Sequence, residues 1–327
     1  MRSTINRENI EGRIYDFTLE KKVTGPTSKN PNTPYIAGDI DIATDEAGLN
    51  IVTVHYSYVT AVTSTGKTDK AYPVLMDIID KGKTIIKDGK DNATCVRCSG
   101  TALALNEFYT EKAKTDTNPD GLVSSKRNEK GFISIVSKLN PDEEKRNFFE
   151  TDMLINKVRL VEADPENNVP TDYLILKGVV FSYNGNFLPM DFVVRDQGGI
   201  KYFESLEISE KKPVFTKVWG AIKSQTVVST KEEANAFGQA IVKETSRTIR
   251  EWEVTGAAQE PYIIGDEENG ITVEEITKKI QDRNTYLAEV KTRQEEYNKS
   301  KNSGAIASAA PVASTAPVVP VTADFNF

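Results

Sequence analysis

In most of the first 225 residues apolar side chains fall at every second position, in short runs broken by Gly, Asn, Asp and Pro. A period of two commits such a chain to strands, because it turns one sheet face to a core and the other to water. Ile36, Gly38, Ile40 and Ile42 alternate with Asp39 and Asp41, and Val52, Val54, Tyr56 and Tyr58 alternate with Thr53, His55 and Ser57. Between them Thr44-Asp45-Glu46-Ala47-Gly48 supplies turn chemistry, so the two runs read as a hairpin. A strand-like stretch at 12–19 precedes it. A short helix is expected at 73–80, with Pro73 in its first turn, followed by strands at 94–110 and 131–137. Three strands, a helix, then strands is the order of a five-stranded Greek-key barrel, the oligonucleotide/oligosaccharide-binding (OB) fold.

The order then repeats. Strands are expected at 153–161, 173–183, 187–194 and 215–223, with a short helix at 201–206 and an Asn184-Gly185-Asn186 turn between the second and third runs. The polar stretches 111–130 and 138–146 read as a long loop and a connection. Lys231 to Lys243 reads as helix and Thr248 to Val254 as a last strand. Thr272-Val273-Glu274-Glu275 is a capping box that opens a helix to about Tyr297. Val273, Ile276, Ile280, Leu287, Val290 and Tyr297 line one face of that helix, interrupted by Arg283 and Gln294. Such a stripe suits docking on the chain's own barrel better than a coiled coil. The expected architecture is mainly β, with two tandem five-stranded Greek-key OB-fold barrels, C-terminal helices and a disordered tail. Its units are a first OB-fold domain over 1–115, a loop and inter-domain connection over 116–146, and a second OB-fold domain over 147–256. An acidic C-terminal helical segment over 257–300 and a disordered linker with a docking tip over 301–327 complete it.

Composition narrows the function. The 327 residues carry a formal charge of -7, which argues against a simple polycationic nucleic-acid binder. The acidity is local, however: residues 251–300 hold 12 acidic and 6 basic side chains, and residues 1–250 stand at -1. The body of the chain is therefore free to carry basic faces, and the acidic helical segment is placed to shield or compete for such a groove. No apolar run approaches the roughly 18 residues of a membrane span. The polar N-terminus has no apolar stretch behind it, so a cytoplasmic protein is expected. Two Cys and one His exclude a disulfide framework and leave too few ligands for a closed zinc site.

The expected binding face lies on the second barrel. Phe215, Lys217, Trp219, Ala221 and Lys223 share one side of a strand, opposite Thr216, Val218, Gly220 and Ile222. On a neighbouring strand Tyr173, Lys177, Phe181 and Tyr183 share a face, and Arg195 joins the set. Aromatic rows flanked by ammonium groups suit single-stranded nucleic acid, since rings stack on bases and cations pair with phosphates. The first barrel offers Arg13, Lys21, Lys22, His55, Arg97, Phe108 and Tyr109. Other motifs read as structure. Ala61 to Thr68 lacks the first glycine of a phosphate loop and is expected to be a turn. Cys95 and Cys98, three apart in a strand, face opposite sides. Asp39 and Asp41 are exposed-hairpin polarity rather than a two-metal nuclease site, and His55 has no evident partner for base catalysis. No catalytic set or cofactor is expected.

From Ser303 to Ala323 the chain is uncharged and built from small residues, Pro and Val, then ends Asp324-Phe325-Asn326-Phe327. Two Phe beside an Asp and a terminal carboxylate read as a docking tip on an extended linker.

The run Ile36 to Asp45, the strand Val54 to Val59 and Leu105-Asn106-Glu107-Phe108-Tyr109 resemble a family of phage and mobile-element single-stranded DNA-binding proteins with tandem OB folds. The tail is similar to that of bacterial single-stranded DNA-binding proteins, Asp324 and Phe327 matching an acidic residue and the terminal Phe. Asn326 stands where proline is usual, and the linker lacks Gly and Gln. The resemblance implies a non-enzymatic protein that coats and protects single-stranded DNA in replication, recombination or repair. It would act in the host bacterial cytoplasm if phage-encoded, and recruit partner proteins through Asp324, Phe325 and Phe327. The alternative is a structural or assembly protein, such as a virion component, that uses the barrels for protein contacts.

Overall fold

The alternating runs form strands, and the strands pair into two circuits of the same order. The structure is a computed structural model that describes residues 2–302 except 27, 64, 165–168, 170 and 234–240; for 225–233, 241–248 and 300–302 it describes the backbone alone. In chain order the elements are β1 (Asn6–Phe17), β2 (Glu20–Val23), β3 (Pro34–Ala43), β4 (Ile51–Val59), α1 (Ala71–Lys81) and α2 (Ile85–Asp88). There follow β5 (Cys95–Tyr109), β6 (Leu122–Glu129), β7 (Phe132–Ile135), β8 (Asn147–Val161), β9 (Tyr173–Phe181) and β10 (Phe187–Val194). The chain continues with α3 (Gln197–Ser205), β11 (Val214–Glu233), β12 (Ile241–Ala257) and α4 (Val273–Asn302).

The first circuit runs β1–β3–β4–β6–β5 and returns to β1, with β4 and β6 parallel and the other pairs antiparallel. The second runs β8–β9–β10–β12–β11 and returns to β8, with β10 and β12 parallel. In each, a helix (α1 or α3) lies between the third and fourth strands. β1 also pairs with β8, from Asn6↔Thr151 to Ile10↔Asn147, so one 12-stranded sheet carries both circuits.

Local chemistry accounts for the elements. In the β3–β4 hairpin Ile36, Ile40, Ile42, Val52, Val54 and Tyr56 are buried, whereas Asp39, Asp41, Thr53 and His55 are not. A bulge separates Ile36 from Gly38, whose φ is 140° and where a Cβ would lie 2.4 Å from the Thr18 carbonyl oxygen. Only glycine allows that backbone approach. On α1 the stripe Ala71, Leu75 and Ile78 turns inward. The interiors of both circuits merge into one apolar core, where the Phe149 and Phe192 rings stack at 5.3 Å.

Several expectations need correction. Residues 111–130 are not a single loop: β6 lies within them and closes the first circuit, which therefore extends to Glu129 rather than ending at 115. Its sequence, Leu-Val-Ser-Ser-Lys-Arg-Asn-Glu, has almost no apolar alternation, because pairing with β5 rather than burial holds it. Lys231–Glu233 and Ile241–Lys243 are strand, not helix, since the β11–β12 ladder overrides local helix propensity. β8 starts at Asn147, six residues before its apolar run, because polar residues there pair with β1. β9 ends at Phe181, and Tyr183 lies in the following turn. Among the described residues no helix is long and apolar enough to cross a membrane. The linker and the tip residues Asp324, Phe325 and Phe327 lie outside the described residues.

Candidate nucleic-acid interface

Along β11 Thr216, Val218, Gly220 and Ile222 are buried, while Lys217, Trp219, Ala221 and Lys223 remain partly open, as period two requires. Trp219 pairs across the sheet with Glu150 on β8 and with Gly256 on β12. Its indole packs on Gly256: a Cβ at that position would lie 2.5 Å from ring atoms Cε2 and Nε1 and 2.8 Å from Cζ2. Glycine thus fixes the ring from below. The Lys217 ammonium stands 5.6 Å from the Trp219 ring centroid and donates to Glu150 Oε1 at 2.9 Å. Arg7 Nε, from β1, donates to Glu150 Oε2 at 2.8 Å. Burial raises the Glu150 carboxyl, but the hydrogen bonds and charges of Lys217 and Arg7 outweigh it and hold the group below its ordinary value. The result is an aromatic ring with one cation beside it and a second across the carboxylate that the two cations share.

Sequence reasoning missed Arg7 and Glu150. They reach Lys217 only through the β1–β8–β11 register, and local spacing carries no trace of it.

Two expected members of the open row are buried instead. Phe215 and Phe181 are fully buried in a second cluster with Leu154, Val179, Phe187 and Ile271, packed against Tyr262, Ile264, Ile276 and Ile280. The Phe181 and Phe215 rings lie 5.5 Å apart, and Tyr262 meets Phe215 edge-on at 5.0 Å. Residues after β12 fold across this end of the outer face: Tyr262 N–H donates to the Phe215 carbonyl, and its hydroxyl to Asp152 Oδ1 at 3.1 Å. Arg2 sits 3.9 Å above the Tyr262 ring. Strand alternation had assigned the correct side but could not show what covers it.

The remaining residues expected on the second barrel flank this cover. Tyr183 is fully exposed in the β9–β10 turn. Tyr173 and Lys177 are half-buried. Arg195 lies 5.2 Å from the Tyr173 centroid and bonds Glu251 at 2.6 Å, and Glu251 stands opposite Lys223 in the register. A chain of contacts therefore leads from Lys223 around β12 and the end of β10 to Tyr173.

In the first circuit the expected residues do not gather. Each cation has an acidic partner: Arg13 with Glu46 at 3.2 Å, Lys21 with Asp80 at 2.8 Å, Lys22 with Glu20 at 3.1 Å and Arg97 with Glu11 at 2.7 Å. His55 Nδ1 lies 2.6 Å from Asp39 Oδ1. Asp16 pairs in register with Asp41, whose carboxyl is pushed up by burial, so this outer face is acidic. Phe108 and Tyr109 are at the far end of β5, where the Lys291 ammonium of α4 lies 5.8 Å from the Tyr109 centroid. Among the described residues no group of acids, His and Cys is arranged to hold a metal ion. Cys98 is buried 3.6 Å from the Tyr56 hydroxyl, and burial pushes its thiol up to about 12.

No curated protein matches the sequence. Among solved structures the chain is similar to a deletion mutant of the single-stranded DNA-binding protein from Thermus aquaticus. The TM-score is 0.43 and the identity 11%, over 81% of this chain and 98% of that one, a likeness too distant to bear on function. A family model described as YorF matches residues 4–293, from just before β1 into α4. With most of its length inside that match, the chain belongs to the YorF family.

Proposed function

We propose that this protein binds single-stranded DNA without strong sequence preference, coating exposed strands during replication or recombination and carrying out no chemistry. Each pairing circuit, with its parallel third and fifth strands and its helix before the fourth, is read as an OB barrel, a fold that presents its outer face and loops to oligonucleotides. The observation that carries the proposal is Trp219, packed on Gly256 with Lys217 beside its ring and Arg7 on the carboxylate that Lys217 shares. A base stacks on the open side of the ring, and the two cations take phosphates as Glu150 is screened. The second circuit carries this site except for Arg7, which β1 of the first circuit supplies. The Asp324-Phe325-Asn326-Phe327 tip is proposed to recruit partner proteins.

Trp219→Ala is expected to weaken binding to oligo-dT about 5- to 150-fold, the loss of one stacking contact of roughly 1–3 kcal/mol. Lys217→Ala with Lys223→Ala is expected to flatten its salt dependence. A folded Trp219→Ala protein with unchanged affinity would remove the site. Titration of single- and double-stranded oligonucleotides at two salt concentrations, with and without Mg²⁺, tests the activity itself. An assembly protein would show no salt-dependent binding, and a nuclease would cleave only with the metal present.

A further inference from the structure

The outer face of the β8–β9 pair changes character beyond the buried Phe181–Phe215 cluster. A bulge follows Ile155, and past it three successive outward pairs are Lys157↔Lys177, Arg159↔Ile175 and Val161↔Tyr173. Two lysines directly opposite one another on an antiparallel pair repel, and sheets normally avoid that placement. Here Lys157 and Arg159 are both exposed, and among the described residues neither has a carboxylate within ion-pair distance. Asp191 pairs with Lys126 and stands opposite Lys177 in register, where it also feels that charge, and Asp172 accepts the Ala163 N–H at 2.7 Å. At the end of the row stands the Tyr173 ring with Arg195 over it. Lys157 and Arg159 thus differ from Arg13, Lys21, Lys22 and Arg97 of the first circuit, each of which has an acidic partner.

We propose that Lys157 and Arg159, with Tyr173, form a second contact for the phosphate backbone of a single strand whose first contact is Trp219. The proposal rests on the single-stranded DNA reading above. Residues that share a strand face lie about 7 Å apart, so Lys157 and Arg159 meet an extended backbone at neighbouring points. Glu150, the β8 partner of Trp219, precedes Lys157 by seven residues, which puts the two contacts about 20 Å apart along the strand. The direct line between them is crossed by the chain around Tyr262. The route that remains follows Lys223, Glu251 and Arg195 to Tyr173, around the second circuit. A short oligonucleotide fills only the Trp219 contact, whereas a long one reaches both.

The test uses the full-length protein with Lys157→Ala and Arg159→Ala together, and oligo-dT of about 4 and about 30 nucleotides, bracketing the usual range of site sizes. Binding of both oligomers, each carrying a terminal fluorophore, is read from anisotropy across a salt series. For the long oligomer the slope of log affinity against log salt is expected to shrink by about 1.4, the value for two lost phosphate contacts on a single strand. For the short one it is expected not to change. An unchanged slope with the long oligomer, in a variant of unaltered thermal stability, overturns the proposal. So does an equal loss with both lengths, since the patch would then not be a separate contact. Trp219→Ala run in parallel keeps the two readings apart: if it leaves both oligomers bound normally, the Trp219 site fails, whatever the double variant does.

Discussion

Glu150 holds Lys217 with one carboxylate oxygen and Arg7 with the other, so the cations beside Trp219 already have a counter-charge in the free protein. Of this site, Trp219 and Lys217 were legible in the sequence because alternation along one strand is a local signal. Arg7 was not, because it lies 143 residues from Glu150 and arrives through strand register. The same holds for Glu8 on the opposite side of β1. Glu8 is 2% exposed, accepts from Trp252 Nε1 at 3.2 Å through Oε1, and leaves Oε2 without a partner. Burial raises its carboxyl to about 8, against the opposing hydrogen bond from Trp252. The folded protein therefore holds a proton there that the unfolded chain releases above about 4.5. Stability from this group is greatest below 4.5 and declines as pH rises towards 8, by at most about 5 kcal/mol at roughly 1.4 kcal/mol per unit. Denaturant titrations of the wild type and Glu8→Gln across that window are expected to converge at low pH, with the variant gaining relative stability as pH rises. A parallel pH dependence in the two proteins would show that Glu8 does not carry the effect.

At the scale of elements, strands with an apolar side and helices with an inward stripe were readable, and those held by partners alone were not. β6 offers little alternation, yet β5 pairs with it from Ala102↔Glu129 to Tyr109↔Leu122. The C-terminal helix gives the opposite case: its extent was legible from the capping box, where Thr272 Oγ1 accepts from the Glu275 N–H at 3.2 Å. Arg283, read as an interruption of its stripe, is an anchor. Arg283 Nη1 bonds Glu107 Oε2 at 2.6 Å on β5, with side-chain exposures of 11% and 1%. Lys291 reaches Asp120 at 2.7 Å, and Ile276 and Ile280 pack on the Phe181–Phe215 cluster. The helix therefore ties the second circuit to the far end of the first. Truncating the chain near residue 265 would strip the cover from that apolar cluster, so any gain in binding would come with lost stability. Arg283→Ala is expected to cost about 3–5 kcal/mol in thermal or chemical unfolding, because it leaves Glu107 charged and buried. Replacing both residues by Leu is expected to cost much less. Equal losses in the two variants would mean that packing of the helix, not the ion pair, holds it.

For the molecule as a whole, the repeat of strand order was legible because each half spells it out locally, but the junction between halves was not. Tandem domains on a linker would share few contacts. Here single polar side chains knit the circuits together. Asn50 donates to the Ile222 carbonyl at 3.0 Å and accepts from the Ser224 N–H at 2.7 Å. Trp252 of the second circuit bonds Glu8 of the first, and Lys126 of the first donates to the Asp191 carbonyl of the second at 2.8 Å. With β1 paired to β8 and one apolar core running through both interiors, separating the halves would expose apolar surface and break buried hydrogen bonds together. Calorimetry of the full-length chain is thus expected to show one transition whose calorimetric and van't Hoff enthalpies agree. Asn50→Ala, which removes two cross-circuit bonds, is expected to shift that single peak downward without splitting it. Two resolved peaks in the wild type would identify independent domains. In a fused molecule the first circuit has a role even with its cations neutralised: it sets β1, and with it Arg7, against the Glu150 and Lys217 of the second.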